Sequence, residues 1–159
     1  MRFDIAKRRV GVRLSGLVIL CVLVACQPSD RRPGLWLSGE TVASLPSSWA
    51  FTNEHREIYV QVKTPYFIPH SVTIWCAEVA GQLFIGARNP ETKNWPGWVD
   101  KNPEVVLKID DGLYAVAMQP VSNTEEIDQI KMAYATKYQL KTTAGSTPPP
   151  MRYWHVIPR

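Results

Sequence analysis

Two hairpin signals in the middle of the chain restrict it to an antiparallel β architecture. Between the β-rich runs Ser71–Val79 and Gln82–Ala87 stand only Ala80 and Gly81, and between Glu104–Ile109 and Leu113–Val121 stand only Asp110, Asp111 and Gly112. Connections this short, built from turn-forming residues, fold a strand back beside its predecessor, whereas a parallel pair needs a crossover of a dozen residues or more. Upstream, Arg56–Thr64 places Ile58, Val60 and Val62 on one side and Tyr59, Gln61 and Lys63 on the other, the period of a half-buried strand. Pro65 and Pro69 bracket the turn that follows it, and a last short strand is predicted over Arg152–Ile157.

Two segments depart from this pattern. Arg88 to Asn94 is rich in turn formers, and Trp95–Asn102 then reads as one or two helical turns, with Pro96 tolerated at the helix start and Pro103 ending it. Ser122-Asn123-Thr124-Glu125 fits a capping box between Ser122 and Glu125. The helix it opens sets Ile127, Ile130, Tyr134 and Tyr138 on one stripe over about four turns. Gly145 and three prolines make 142–150 a loop. Six strands with one long and one short helix predict a mainly β fold with α (α+β), a small six-stranded antiparallel barrel with helices at its rim.

The N-terminus reads differently. Arg2, Lys7, Arg8, Arg9 and Arg13 stand against a single acid, Asp4, and the uncharged run Leu14–Ala25 follows. A basic segment and an apolar one too short to span a bilayer stably predict an export signal over residues 1–25. The run ends in Leu23-Val24-Ala25-Cys26, which resembles the lipobox of bacterial lipoproteins. That resemblance implies cleavage before Cys26 and attachment of lipid to its thiol; the alternative, a short anchor with an incidental cysteine, is disfavoured by the length of the run. Residues 26–34 then form a polar tether and 35–159 one domain. Several acyl chains would hold the protein at a membrane, the expected partner of Cys26. The expected location is the cell envelope with the domain in the periplasm. Gln27, where an aspartate retains lipoproteins at the inner membrane, favours the outer one in a Gram-negative cell. Arg8-Arg9 is followed by Val10-Gly11-Val12 rather than a hydrophobic pair, which points to export of an unfolded chain.

Charge and cysteine content follow from that division. The chain has 18 Lys+Arg and 14 Asp+Glu; the signal holds 5 and 1 of these, leaving 13 of each. A neutral domain with no basic run gives no support for nucleic-acid binding. Cys21 leaves with the signal and Cys26 carries lipid, so Cys76, in an apolar stretch, is the remaining thiol and no internal disulfide is expected. His55, His70 and His155 are far apart, no metal-ligand spacing occurs, and no metal is expected. Neither a GxSxG elbow nor a P-loop is present.

The segment with chemical interest is Leu83–Ile109. Arg88 ends an apolar strand, Lys93 lies in the loop, and Trp95 and Trp98 stand about one helical turn apart. Two cations beside indoles suit a small aromatic or phosphorylated ligand, held by charge-assisted bonds and ring stacking. The same residues also suit a packing role, with both tryptophans plugging the barrel and the cations in water. The residues alone leave both readings open.

Leu83-Phe84-Ile85-Gly86-Ala87-Arg88, Lys93-Asn94-Trp95, Asn102-Pro103-Glu104-Val105, Asp110-Asp111-Gly112-Leu113-Tyr114 and Ala133-Tyr134-Ala135-Thr136-Lys137-Tyr138 together resemble the split β-barrel flavin-binding superfamily, in its deazaflavin-dependent nitroreductase and pyridoxamine 5'-phosphate oxidase-like branches. The resemblance runs from about Ile58 to Tyr138. It implies a split barrel, FMN or a deazaflavin gripped near Arg88, Lys93, Trp95 and Trp98, oxidoreductase chemistry, and a homodimer with cofactor at the subunit junction. Where those proteins carry Asn-Leu after the Trp, this chain has Trp98-Val99, an indole in place of an amide. Two functions follow as expectations: a membrane-anchored flavin-type oxidoreductase, or a non-catalytic envelope protein that kept the barrel to bind a ligand or serve as a scaffold.

Overall fold

The computed structural model describes residues 34–140 and 148–159; the signal, Cys26, the tether up to 33 and residues 141–147 of the late loop lie outside them. Seven strands form one sheet: β1 (Glu40–Thr41), β2 (Ile58–Val62), β3 (His70–Val79), β4 (Gln82–Arg88), β5 (Glu104–Ile109), β6 (Gly112–Pro120) and β7 (Met151–Pro158). Helices α1 (Asn94–Lys101) and α2 (Thr124–Tyr138) interrupt them. Six strands close in the order β6-β5-β2-β3-β4-β7, with β7 returning to pair with β6, and all six contacts are antiparallel. The short β1 adds a parallel edge to β6. This is the expected mainly β barrel with one long and one short helix, plus one strand that no periodicity announced.

Alternation along the strands divides the apolar residues between two cores. Val60, Ile74, Cys76, Leu83, Ile85, Leu107, Val116 and Trp154 point into the barrel. Ala77, Phe84 and Tyr153, on the other face of β3, β4 and β7, are covered by Ile130, Tyr134 and Tyr138 of α2. The predicted helical stripe is therefore the buried face of α2, with Ile127 at its margin. Gly86 makes this approach feasible: a Cβ there would lie 3.0 Å from the Tyr134 hydroxyl and 3.1 Å from the Tyr153 ring. The two tight hairpins form as expected, with Ala80 and Gly81 both at positive φ in the first and Asp110 in the left-handed region in the second.

The cap of α2 differs from the expected Ser122–Glu125 box. The N-cap is Asn123, whose side-chain oxygen accepts from the Glu126 N–H at 3.1 Å. The reason lies in β6, which stays paired through Pro120, after which the Val121 N–H donates to the Tyr153 carbonyl at 3.0 Å. That bond keeps the backbone extended for longer, so the first helical residue is Thr124 and the reciprocal capping bonds do not form.

Before β2 the chain runs along the outside of the barrel. Ser71 bonds Gly34 and Leu35, the Leu37 N–H donates to the Gln61 side chain at 2.6 Å, and the Lys108 ammonium donates to the Ser38 carbonyl at 2.5 Å. A 3-10 turn over Ala50–Glu54 follows the buried Trp49, whose ring lies edge-on to Tyr114 at 5.3 Å.

Candidate functional site

Helix α1 decides what the four sequence-selected residues near the barrel end can do. It starts directly after Lys93, with Pro96 in its first turn, and buries Trp95, Pro96 and Val99. Trp95 is 5% exposed and packs 5.1 Å from Trp154 at an interplanar angle of 46°. Its indole belongs to the barrel core, which places no face of it against a ligand. Trp98 points away from Trp95, meeting Tyr66 edge-on at 5.9 Å and His70 at 5.4 Å. A third side of α1 carries Asp100, which takes a two-pronged ion pair from Arg152 at 2.7 and 2.6 Å. The Arg152 guanidinium also lies 4.8 Å over the Trp154 ring. Helix α1 is thus fixed from within the barrel and from two strands.

Arg88 shares alternation parity with Phe84 and Gly86, so it belongs to the outer face of β4, opposite Trp95. The chain turns away at Asn89, in the left-handed region that Asn tolerates, and its N–H donates to the Pro150 carbonyl at 2.8 Å. A 3-10 turn over Pro90–Thr92 then swings Lys93 back, and its ammonium donates to the Arg88 carbonyl at 2.6 Å. The structure brings the Lys93 ammonium to the Arg88 backbone and turns Trp95 and Trp98 to other surroundings. Among the described residues neither cation has a carboxylate within ion-pair distance. Two cations flanking one short loop can hold a divalent anion such as a phosphate.

Beyond Trp98 the barrel end carries an open hollow of about 450 Å³, lined by Lys63, Thr64, Phe67, Pro69 and Asn102. Lys63 pairs with Glu104 at 2.6 Å, and its hydrogen bond and charge hold the Glu104 carboxyl below its ordinary range. The sequence signal for this region was the apolar triplet Tyr66-Phe67-Ile68 set between two prolines, where a turn needs no apolar side chains.

A second polar cluster lies between α2 and the barrel. The Tyr138 hydroxyl accepts from the Cys76 N–H at 3.0 Å and sits 2.9 Å from both the Cys76 and Arg56 carbonyls. Its ring stacks on Trp75 at 4.1 Å. The Tyr134 hydroxyl lies 2.9 Å from the Trp75 carbonyl. Lys137 donates to the Thr52 carbonyl at 2.7 Å and approaches the Cys76 sulfur at 3.5 Å. Burial pushes the Cys76 thiol up from its ordinary value, against the opposing charge of Lys137. Burial likewise raises the phenols of Tyr134, Tyr138 and Tyr153. The Tyr134 and Tyr138 hydroxyls, Lys137 and Cys76 each meet a partner in the fold, contacts that fix α2 on the barrel, and the raised thiol pKa leaves less of the reactive thiolate. Among the described residues no three metal-ligating side chains converge.

No protein-family model matches the chain, and no curated protein matches it in sequence. Solved structures do match in shape. A proposed 5-nitroimidazole antibiotic resistance protein from Bacteroides thetaiotaomicron is similar over 73% of this chain and 80% of its own, with a TM-score of 0.54 and 10% identity. A proposed pyridoxamine 5'-phosphate oxidase from Listeria innocua is similar over 69% and 88%, with a TM-score of 0.51 and 15% identity. A conserved hypothetical protein from Mycobacterium tuberculosis is similar over 76% and 86%, with a TM-score of 0.53 and 16% identity. At such identities the likeness establishes the fold: the chain shares the split barrel of the nitroimidazole-resistance and pyridoxamine 5'-phosphate oxidase-like structures.

Proposed function

We propose that the protein is an envelope lipoprotein, anchored through lipid on Cys26, whose split barrel binds FMN or a deazaflavin and serves as an oxidoreductase. The observation that carries the binding half is the pair Arg88 and Lys93: the Lys93 ammonium folds back onto the Arg88 backbone carbonyl, and among the described residues neither cation is ion-paired to a carboxylate, Glu91 of the same loop included. These two would hold the phosphate, and Trp95 would support them only indirectly, by fixing α1 to the barrel core. Such a cofactor, when bound, supplies the electron or hydride transfer. The chain supplies the grip. The basic and apolar segments before Cys26 support the anchor, with the domain in the periplasm and the outer membrane as destination. The resemblance to split-barrel proteins supports a homodimer, which sedimentation of the solubilised protein would read.

FMN and deazaflavin titrations of the detergent-solubilised lipidated protein test the reading. Arg88→Ala and Lys93→Ala should each weaken FMN binding by about one to two powers of ten, the value of one charge-assisted bond. Folding stability should barely change, since exposed cations contribute little to it. Cys26→Ser should yield an uncleaved chain without lipid mass. A second reading, a cofactor-free scaffold, is favoured by one observation: Trp95 and Val99 fill the barrel end from within. Wild-type protein that binds neither cofactor would establish it.

A further inference from the structure

Five large apolar side chains stand in water at one end of the barrel. Phe67 is 97% exposed, Tyr66 53% and Trp36 51%, and Leu35 and Ile68 are nearly half exposed. They come from two segments that Ser71, at the start of β3, draws together: its N–H donates to the Gly34 carbonyl at 3.1 Å and its hydroxyl to the Leu35 carbonyl at 2.5 Å. The loop that carries Phe67 is tied at its base, where the Thr64 hydroxyl donates to the Ile68 carbonyl at 2.6 Å. Phe67 itself sits at φ 64, a left-handed conformation that costs a bulky residue energy. A phenyl ring is thus held fully in water on a strained backbone, next to four other exposed apolar groups. Scattered exposed apolar residues are ordinary, but a contiguous group marks an interaction surface.

We infer that this patch is the membrane-docking face of the domain, its occupant the interfacial layer of the phospholipid bilayer that holds the anchor. The composition suits that layer: Trp36 and Tyr66 are of the type that settles at headgroup level, while Phe67, Ile68 and Leu35 reach the acyl boundary. The chain's path supplies the second argument. Gly34, at the edge of the patch, follows Cys26 by eight residues, so a fully extended tether spans at most about 29 Å. A lipid on Cys26 therefore keeps the edge of the patch within about 29 Å of the bilayer, and a weak apolar contact becomes effective at such local concentration. Arg31 and Arg32, directly before Pro33, add attraction to anionic headgroups, whereas the charge of Lys63 is shared with Glu104. The inference rests on the anchor proposed above and adds an orientation to it.

The test uses the lipidated protein in vesicles of phosphatidylethanolamine and phosphatidylglycerol, with and without brominated acyl chains. An environment-sensitive fluorophore is placed on a Phe67→Cys variant, and on an Asp111→Cys variant as reference. Asp111 lies in the turn after β5, whose first residue, Glu104, is at the patch end. Buried Cys76 leaves the labels specific. The probe at 67 should shift to the blue and be quenched by bromolipid, and the probe at 111 should do neither. Trp36→Ser together with Ile68→Ser, both changes at exposed positions, should return the probe at 67 to water while the protein stays in the membrane fraction. A water-exposed probe at 67 on membrane-bound protein would overturn the docking and leave the anchor standing. A shift at 67 that persists in detergent and grows with protein concentration would assign the patch to a second copy of the chain and overturn it as well. Wild-type protein recovered without lipid and outside the membrane fraction would remove the anchor and the inference together.

Discussion

The barrel is covered in two places, by α2 along its side and by α1 with the Thr64–Pro69 loop at one end, and the two coverings obey different rules. Under α2 the polar atoms of Tyr134, Tyr138 and Lys137 meet backbone carbonyls, and apolar rings stack face to face. At the α1 end a single indole is driven deep into the barrel, while Tyr66, Phe67 and Ile68 remain in water and Arg88 and Lys93 carry charge without acidic partners among the described residues. A region whose groups are all satisfied needs nothing further, and one that leaves apolar surface and charge unmatched is where binding is to be sought.

The comparison can be broken most readily at Trp95. Trp95→Ala should cost about 3–5 kcal/mol, because truncation of a buried indole leaves a cavity against Trp154 that the barrel cannot close. A denaturation midpoint close to wild type would mean that α1 is not fixed by the core, and the plug would become a lid. Tyr138→Phe comes next, at about 1–3 kcal/mol, since it deprives the buried Cys76 N–H of its acceptor. The same cluster sets an alkaline limit. Burial raises the pKa of the Cys76 thiol and of the Tyr134, Tyr138 and Tyr153 phenols above the ordinary values of 9.0 and 10.0. The unfolded chain therefore releases these protons first. Their contribution is complete below pH 9 and is lost as the pH rises through 10 and beyond. Urea midpoints between neutral and strongly alkaline pH should fall in that window, less steeply in Tyr138→Phe.

Smaller effects sharpen the contrast. Asn123→Ala should cost about 1 kcal/mol by removing the cap of α2, whereas Ser122→Ala should cost almost nothing. Equal losses in thermal scans would return the cap to Ser122. Phe67→Ser should stay within about 0.5 kcal/mol of wild type, the range of surface substitutions away from structural features. A clear loss would show that the ring packs on the fold rather than standing free of it.

The strands and the long helix were legible because their signals are local. Alternation in Ile58–Val62, the dipeptide Ala80-Gly81 and the stripe Ile130, Tyr134, Tyr138 each bury one face and leave the other, whatever the rest of the chain does. Residues 35–55 offered no such period. The strand Glu40–Thr41 exists because β6 presents an edge to it, and Trp49 is buried because Tyr114 receives it. Of the candidate site, the sequence offered Arg88 and Lys93 by residue type, and the fold turns the Lys93 ammonium onto the Arg88 carbonyl. Lys63, Phe67 and Asn102, which line the hollow, came from distant stretches that only the closed barrel joins.

By itself, then, the sequence determined the two tight hairpins, the helical face and the six strands of the barrel, since each rests on hydrophobic periodicity and turn chemistry within a few residues. Only the tertiary structure decided that Trp95 faces inward while Arg88 faces outward, and that Gly34 lies against Ser71 beside the loop of Phe67. A one-residue change of parity exchanges the two faces of a strand, and closure of a barrel sets which distant loops share an end. Neither is written in any local window of the chain.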